Sequence, residues 1–480
     1  MRRALVALAG SVALLGAAGC GGTDRSVQQF VSRPDLRPPV VTVTHPARGA
    51  APGYVFIAPK RDVAQAGPMI LDDRGRLVWF RPLDTRGVTD FRVQRYRGRP
   101  VLTWWRGRAT RGVGDGYDVV VDDAYRQVAR VRAGRGLSAD VHEFLITPRD
   151  TALITVYRRV PVDLSPVGGP KQGKVFEGVV QELDIPSGRV LFEWHSLPHV
   201  ALEESYAKPP PARQGAAAAP YDYFHVNSVD EGPDGNLLVS ARNTHAIYEI
   251  DRKTGRILWR LGGRRSDFAM GPGTRFAWQH DARWQGRDTI SLFDNEADPP
   301  YAKRSRALVL RLDAGRRRVT LVRAETHPDG LLSGSQGNTQ VLPGGHLFVG
   351  WGENPSMTEF GPDGELLFDA HFTPGADSYR AYRFAWRGRP SEPPALALHS
   401  DLLGRVSAYV SWNGATEVAS WQVLAGPDPG HPRPLRTVAK TGFETRIDLG
   451  HVRGPYVVVR ALDRNGRPLR QSTAQKLPFR

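Results

Sequence analysis

The stretch HVNSVDEGPDGNLLVSARNTHAIYEIDRKTGRILWRLG, residues 225–262, contains four short apolar segments separated by polar turns. Alternation of apolar and polar residues, with many β-branched and aromatic side chains, predicts four antiparallel strands. The second half of this unit, two apolar segments joined by a turn with Asp or Gly, recurs along the chain. The six copies are LDDRGRLVWF (71–80), VDDAYRQVARV (121–131), LDIPSGRVLFEW (183–194), IDRKTGRILWRLG (250–262), LDAGRRRVTLVRA (312–324) and FGPDGELLFDAHF (360–372).

The spacing of these copies predicts the fold. Between Gly75 and Gly364 they lie about 58 residues apart on average, which suits four short strands plus loops. Six such units predict an all-β fold, a six-bladed β-propeller over residues 51–387. The segments 158–175, 197–222 and 296–306 are long loops, and we expect them to wall a binding site.

The composition changes after residue 387. A Pro-rich join, PSEPPALALHSD (390–401), is followed by short apolar segments that predict a small β-sandwich over residues 388–480. A Trp in its second strand and the segment YVVVRALDRNG (456–466) resemble a fibronectin type III domain. The sequence identifies no protein partner for this domain.

The N-terminus has the pattern of an export signal. Two arginines, the apolar run ALVALAGSVALLG (4–16) and the small residues before Cys20 predict a lipoprotein signal peptide over residues 1–19. We expect cleavage before Cys20 and lipidation of its thiol, followed by a flexible spacer over residues 20–50. The expected location is extracytoplasmic, with membrane contact through this lipid anchor only. Because Cys20 is the sole cysteine, an internal disulfide is excluded; the alternative is a secreted protein with an incidental cysteine.

The formal net charge is +16 at pH 7. The arginines are scattered over turns, without a basic helix or a stripe of basic and aromatic residues, so we predict a solvated basic surface and no nucleic-acid partner. Such a surface attracts anionic ligands over long range.

Aligning the units brings histidines to one equivalent position. The innermost strand of each blade begins near the axis of a propeller, so residues that start these strands surround one channel. The residues at this position in units two to six are Asp90, His142, His225, His280 and Asn338, with Gln340 nearby. Three histidines in consecutive units predict a functional site rather than surface decoration.

An arginine accompanies these histidines. Arg242 ends the second strand of unit four and is expected beside His225, because that strand returns antiparallel to the first. A guanidinium repels a metal cation but clamps a tetrahedral oxyanion such as sulfate or phosphate. Histidine can then serve as nucleophile or proton carrier. A zinc site is the alternative, although Asp281 and Asp294 are the only evident carboxylates; we predict no metal and no cofactor.

At these residues the chain resembles the bacterial arylsulfotransferase family, the aryl-sulfate sulfotransferases that do not use PAPS. The resemblance covers roughly residues 50–387. It is strongest in FHVNSVDEGPDGNLLVSARNTHAIYEIDRKTGRILWRLGG (224–263) and FAWQHDARW (276–284). It implies a sulfotransferase that takes an aryl sulfate donor and a phenolic acceptor through a sulfohistidine intermediate.

The resemblance also implies roles for individual residues. His280 corresponds to the sulfated nucleophile, His225 and Arg242 to residues that bind sulfate and stabilise the transition state, and His142 to a further active-site histidine. We expect substrate-binding roles for Asn227, which would orient His225, and for Asn338 and Gln340. The chain departs from the family at Asn243, where His is common, and at Asp281, where the best-known members carry Thr.

Two other functions compete with this one. A noncatalytic propeller at the cell surface could bind anionic glycans or a protein partner through its basic rim or its C-terminal domain. A metal-dependent or quinone-dependent propeller enzyme is the third hypothesis. Three aligned histidines beside an arginine favour sulfuryl transfer over both.

Overall fold

The computed structural model describes residues 26–213 and 218–477, and the regular secondary structure of these residues is almost entirely β-strand. Short 3₁₀ turns lie at Ser165–Val167, Leu202–Glu204 and Pro343–Gly345. The predicted signal peptide and the lipidation site at Cys20 fall outside the described residues. Within the described residues, no helix has the length and apolar character needed to cross a membrane.

Seventeen strands precede residue 263. In chain order they are β1 (Val41–His45), β2 (Tyr54–Ile57), β3 (Lys60–Arg61), β4 (Met69–Leu71), β5 (Leu77–Phe80), β6 (Gly87–Tyr96), β7 (Arg99–Thr110), β8 (Val113–Val121), β9 (Gln127–Val131), β10 (Phe144–Ile146), β11 (Thr151–Val162), β12 (Gly173–Asp184), β13 (Val190–His195), β14 (Val226–Glu231), β15 (Leu237–Ala241), β16 (Ala246–Ile250) and β17 (Ile257–Gly262).

The strands after residue 263 complete the molecule. They are β18 (Ala269–Met270), β19 (His280–Trp284), β20 (Thr289–Asp294), β21 (Arg306–Asp313), β22 (Arg318–Glu325), β23 (Asn338–Val341), β24 (Leu347–Gly350), β25 (Ser356–Phe360), β26 (Leu366–Phe372), β27 (Ala376–Asp377), β28 (Ala381–Phe384), β29 (Ala395–Ser400), β30 (Val406–Ser411), β31 (Ser420–Gly426), β32 (Arg433–Ala439), β33 (Glu444–Gly450), β34 (Tyr456–Leu462), β35 (Pro468–Gln471) and β36 (Gln475–Lys476).

Six antiparallel sheets follow one another around an axis. From the axis outward their strand orders are β28-β2-β4-β5 (sheet 1), β6 to β9 (sheet 2), β10 to β13 (sheet 3), β14 to β17 (sheet 4), β19-β20-β21-β22-β18 (sheet 5, where β18 adds in parallel) and β23-β24-β25-β26-β1 (sheet 6). Strands near the axis contact each other from sheet to sheet: β6 contacts β10 and β28, β14 contacts β19 and the second strand of sheet 3, β11, and β23 contacts β19 and β28. This ring of radial sheets confirms the predicted all-β propeller.

The two ends of the propeller segment close the ring, which the sequence did not predict. Sheet 1 takes its innermost strand from β28, which pairs antiparallel with β2. Sheet 6 takes its outermost strand from β1, which pairs with β26. The segment YVFIAP (54–59) contains β2, which is therefore the second strand of sheet 1 from the axis. Residues 41–45, predicted within a flexible spacer, are a strand, so the boundary predicted at residue 51 lies too late in the chain.

The C-terminal segment forms two further sheets that share one apolar core. One sheet has the order β29-β30-β33, and the other has β32-β31-β34-β35 with β36 also paired to β34. The segment docks against the outer edge of sheets 1 and 2: the Asn413 side chain bonds the backbone N–H and carbonyl of Phe80, and the Tyr125 hydroxyl donates to the Gly414 carbonyl at 2.8 Å. Its likeness to a fibronectin type III domain stays a prediction.

Candidate active site

A cavity of about 600 Å³ opens where the innermost strands of sheets 3, 4 and 5 begin. It is lined by His142, His225, His280 and Arg242, the four side chains predicted to act in catalysis. The ring centroids of His142 and His225 lie 4.9 Å apart, and those of His225 and His280 lie 6.5 Å apart. The predicted convergence of the three histidines is therefore present in the fold.

A recurrent backbone irregularity marks the start of the innermost strands. His225, just before β14, has a φ of 54°, Asp281 in β19 has a φ of 56°, and Asp90 in β6 has a φ of 53°. These residues adopt the left-handed region that non-glycine residues rarely occupy. In all three strands the register with the second strand shifts at this point, as in a β-bulge. Such bulges redirect side chains, and here they border the cavity.

The hydrogen bonds around His280 determine its tautomer. The Asn295 amide nitrogen donates to the carbonyls of Ser333 and Gln336, each at 3.0 Å, so its oxygen faces His280 Nδ1 at 2.7 Å. That oxygen can only accept, and Nδ1 therefore carries the proton. The Gln336 backbone N–H points at Nε2 from 3.3 Å, as expected for an unprotonated nitrogen.

Electrostatics keep the His280 ring neutral. Burial lowers the pKa of His280 well below its ordinary value of 6.5, and the positive charge of Arg242 lowers it further. Since desolvation and a nearby cation both disfavour imidazolium, Nε2 retains its lone pair at neutral pH. A neutral imidazole of this kind is a nucleophile.

The other two histidines each pair with a carboxylate through Nδ1. His225 contacts Asp222 at 2.5 Å, and His142 contacts Asp140. Burial lowers the pKa of His225, whereas Asp222 opposes that shift by favouring the charged ring. These pairs fix the ring orientation and leave Nε2 as the nitrogen that can exchange a proton with a ligand.

Arg242 is held rigidly at the side of the cavity. Its guanidinium donates to the Asn243 side-chain oxygen and to the Gly334 carbonyl, each at 2.9 Å, and lies 4.6 Å from the centroid of the Trp278 ring. Burial lowers its pKa, while Asp222 raises it. These two contacts use two of its five N–H donors, so others can bind an oxyanion.

Three residues predicted to bind substrate form hydrogen bonds within the protein. The amides of Asn338 and Gln340 bond the backbone of Ala381 and Arg383, and so hold β28 in place. Neither side chain lines the histidine cavity. Both amides are instead hydrogen-bonded to β28, the strand that closes the ring. Asn227 donates to the Gln279 carbonyl at 2.7 Å. The residue that hydrogen-bonds His225 is Asp222 and not Asn227, and substrate binding by Asn227 stays a prediction.

The two departures from the resembling family have structural explanations. The Asn243 oxygen accepts from Arg242, and its amide nitrogen donates to the Asp222 carbonyl at 2.5 Å, so it links two residues of the site. The Asp281 carboxylate lies 2.7 Å from the Arg283 guanidinium and 3.2 Å from that of Arg380. Two cations therefore offset its charge, and it does not line the cavity.

Beneath the cavity a cluster of buried ion pairs fills the propeller axis. It joins carboxylates and guanidiniums from sheets 1, 2, 3 and 5, and its members are Asp90, Arg92, Glu143, Asp281, Arg283 and Arg380. A second cavity, of about 640 Å³, lies on the other side and is lined in part by Arg92, Asp281 and Arg283 of this cluster. The sequence neighbours of three cluster residues, Thr89, His142 and His280, line the histidine cavity, so the cluster lies next to that cavity along the axis.

Several site residues were missed by sequence reasoning. Asp222 lies in the long segment 197–222 and Asp140 just before His142, so a carboxylate two or three residues ahead of each histidine was an available signal. Asn295 directly follows the hairpin that begins at His280, so its position beside His280 could also have been predicted from the sequence. Tyr379, whose ring centroid is 5.6 Å from that of His142, comes from the closing segment and carried no signal.

The chemistry available here is group transfer from an oxyanion. The site combines a neutral imidazole, two carboxylate-paired imidazoles and a guanidinium in one cavity, a set suited to sulfuryl or phosphoryl groups. Among the described residues, no group of three or more His, Cys, Asp or Glu side chains is arranged to hold a metal ion.

A family model described as arylsulfotransferase (ASST) matches residues 92–373, an interval that contains all four predicted catalytic residues. No curated protein matches. Among solved structures, a protein of unknown function from Bacteroides caccae is 12% identical with a TM-score of 0.38, covering 69% of this chain and 98% of that one. A catalytically inactive virginiamycin B lyase from Staphylococcus aureus is 9% identical with a TM-score of 0.33, covering 79% and 94%. The β-propeller domain of Cps50 (Swd1) from Myceliophteria thermophila is 13% identical with a TM-score of 0.33, covering 67% and 98%.

Proposed function

Because this chain belongs to the arylsulfotransferase family, we propose that it moves a sulfuryl group from an aryl sulfate donor to a phenolic acceptor through a sulfohistidine at His280. The observation that carries this proposal is the protonation pattern of His280, whose Nδ1–H is committed to Asn295 while Nε2 keeps its lone pair. A covalent intermediate of this kind needs no PAPS, since the aryl sulfate itself supplies the group.

In the first half-reaction, the Nε2 lone pair of His280 attacks sulfur and the bond from sulfur to the aryl oxygen breaks. The electron pair of that bond leaves on the phenolate oxygen, which takes a proton from Nε2 of His225. Although burial lowers the pKa of His225, Asp222 opposes that shift and favours the imidazolium form that supplies the proton. The products are a neutral phenol and a sulfuryl group bonded to His280.

In the second half-reaction, the acceptor phenol occupies the place of the departed one. Nε2 of His225 removes the proton of the acceptor hydroxyl, whose oxygen attacks sulfur. The nitrogen–sulfur bond breaks, and its electron pair returns to His280. Asn295 accepts a hydrogen bond from Nδ1–H throughout, which stabilises the positive charge that the ring carries while sulfated.

Arg242 and His142 serve the sulfuryl oxygens in this scheme. The guanidinium is buried beside the reacting ring, where a fixed cation stabilises negative charge more strongly than it would in water. Nε2 of His142 faces the same cavity, and Asp140 holds its ring. Neither residue needs to move a proton for the transfer to balance.

The test is phenol release from 4-nitrophenyl sulfate with phenol present as acceptor. His280→Ala should lower turnover by at least about a thousandfold, because the variant lacks the imidazole that attacks sulfur. Intact mass measurement of donor-treated protein without acceptor should detect one added SO₃ group, absent from the variant.

His371→Ala is the matched control, since His371 lies half-buried on β26 outside the cavity, and it should keep full activity. Turnover that survives in His280→Ala would contradict the proposal. If instead no donor is turned over but aryl sulfates bind the cavity, the competing hypothesis of a noncatalytic binding propeller gains support.

A further inference from the structure

The mouth of the histidine cavity is strongly basic. Six cationic side chains line the cavity, and none of its lining residues is Asp or Glu. The six are Lys60, Arg61, Arg86, Arg108, Arg111 and Arg242. Lys60 and Arg61 both pair with Asp377, which does not line the cavity. The Lys60 ammonium lies 2.7 Å and the Arg61 guanidinium 3.1 Å from its carboxylate.

Three of these cations pair with no carboxylate anywhere in residues 26–213 and 218–477. Arg86, Arg108 and Arg111 are exposed, and Arg86 makes a hydrogen bond to the Arg61 carbonyl at 2.9 Å. Other exposed arginines of sheets 1 and 2 that pair with no carboxylate among the described residues, such as Arg95, Arg99 and Arg130, do not line this cavity. What distinguishes Arg86, Arg108 and Arg111 is that all three line the same cavity, whose lining contains no carboxylate.

The β7–β8 hairpin holds two of them over the site. Its tip is a two-residue turn in which Arg111 has a φ of 52° and Gly112 a φ of 80°, the signature of a type I′ turn. The tip is close to the catalytic rings, because a Cβ added at Gly112 would lie 3.3 Å from His225 Cε1. A rigid ladder of hydrogen bonds joins Arg108 and Arg111 to the rest of sheet 2.

The charge at this mouth exceeds what the transferred group requires. A sulfate monoester carries one negative charge, and Arg242 already lies at the reacting ring to meet it. Three additional unpaired cations repel one another, and an uncharged phenol ring carries no negative charge to offset that repulsion. They gain a partner only if the ligand extends outward with more negative charge.

We propose that the natural aromatic substrate carries a second anionic group, a carboxylate, sulfonate or phosphate, that Arg86, Arg108 and Arg111 bind at the mouth while the transferred group lies at His280. This inference rests on the proposed sulfuryl transfer, whose site it shares. It assigns the three arginines as specificity-determining residues, separate from the four that act on sulfur.

Binding of inert sulfonates tests the inference without turnover. The probes are benzenesulfonate and benzenedisulfonate, which have no transferable ester, and affinity is measured by calorimetry. The disulfonate should bind about tenfold more tightly at low salt. The preference should shrink as salt rises, because these charges are exposed and screened within about 10 Å at 0.1 M salt.

Paired variants identify the residues responsible. In Arg108→Gln/Arg111→Gln the preference for the disulfonate should fall to about twofold or less. Arg316→Gln/Arg318→Gln removes the same charge from exposed positions at the outer hairpin of sheet 5 and should keep the tenfold preference.

Equal affinity of the wild-type protein for the two sulfonates would overturn the inference, even if aryl sulfates are turned over. A preference that survives in Arg108→Gln/Arg111→Gln would overturn the assignment to these arginines. A preference lost only in that variant, in a protein that transfers no sulfuryl group, would support the anionic subsite and contradict the proposed function instead.

Discussion

At the scale of single residues, the protonation of His280 depends on one amide. Asn295 is oriented by two carbonyls, so its oxygen has to face Nδ1 and its nitrogen cannot. An Asp at this position keeps the acceptor but adds a negative charge next to the ring. Because an adjacent carboxylate favours imidazolium, Asn295→Asp should raise the pKa of His280 by about one to three units.

The pH dependence of kcat/KM reports this shift. In the wild-type protein the fall on the acid side due to His280 should lie well below pH 6.5, since its pKa is lowered. Activity is lost as pH falls through that pKa, because protonation removes the Nε2 lone pair. In Asn295→Asp the same fall should begin at higher pH. An unchanged profile would show that Asn295 does not control the nucleophile; Asn236→Asp, in an exposed turn, serves as control.

Sequence reasoning at this scale succeeded where a repeat could be aligned. His142, His225 and His280 occupy one equivalent position, and Arg242 follows from strand geometry. The same logic failed for Asn338, which shares that position in unit six but bonds β28. Position in a repeat predicts where a backbone lies, whereas the partner of a side chain depends on strands that arrive from elsewhere in the chain.

At the scale of elements, the β7–β8 hairpin is the strand pair that can be shortened without altering the rest of its sheet. It projects past the neighbouring strands, and its tip covers His225. Its sequence predicted strands, but not their length, because the polar run RGRATRGVGDG (106–116) has no apolar alternation to mark it. Its ladder is nevertheless regular, from Leu102 paired with Val121 to Thr110 paired with Val113.

Shortening this hairpin should expose the sulfated intermediate to water. Deleting Ala109, Thr110, Val113 and Gly114 removes two rungs, keeps the Arg111–Gly112 turn and preserves side-chain alternation. The tip should retreat by roughly 7 Å, two residues of strand rise. We expect phenol release without acceptor to increase at least about fivefold relative to transfer, because water gains access to sulfur.

The measurement compares donor consumption with and without phenol. A ratio equal to that of the wild-type protein would show that the hairpin does not exclude water. Thermal unfolding of the variant checks that sheet 2 remains intact, since a lost sheet would also lower transfer.

At the scale of the whole molecule, the buried ion cluster connects the sheets at the axis. Arg380, fully buried in the closing segment, pairs with Asp90 at 2.7 Å, and with Glu143 and Asp281 at 3.4 and 3.2 Å. Although burial raises it, the pKa of Glu143 is held at about 2 by Arg283, Arg380 and Arg92. Each buried charge of the cluster is therefore stabilised by opposite charges from distant parts of the chain.

Removing this one cation should destabilise the whole ring. Arg380→Met leaves buried carboxylates short of a partner and should lower the free energy of unfolding by about 3 to 5 kcal/mol. Urea unfolding at pH 7 measures the change. The difference from wild type should shrink as pH falls from about 4.5 toward 2, because protonated carboxyls no longer need the cation.

Arg387→Met is the control for this variant. Arg387 is exposed and pairs with Glu417 on the surface, so its loss should change the free energy of unfolding far less than Arg380→Met does. Equal effects of the two substitutions would contradict the role given to the axial cluster.

The blade pattern was predictable from periodicity, but the closure of the ring was not. Sheet 1 is completed by β28, more than three hundred residues after its partner β2. The local sequence of neither strand predicts that it pairs with the other, since both are simply short apolar segments. The pairing follows from the need to hydrogen-bond the two open edges that a linear set of six sheets would leave.

The filled axis has a consequence for the order of events in turnover. Because buried ion pairs fill the axis next to the histidine cavity, we expect the donor and both phenols to enter and leave that cavity through its basic mouth. If the sulfuryl group is transferred through His280, the phenol released from the donor has to dissociate from the cavity before the acceptor phenol can bind. Donor and acceptor would then compete for the same binding site. An excess of either one should therefore inhibit the reaction of the other.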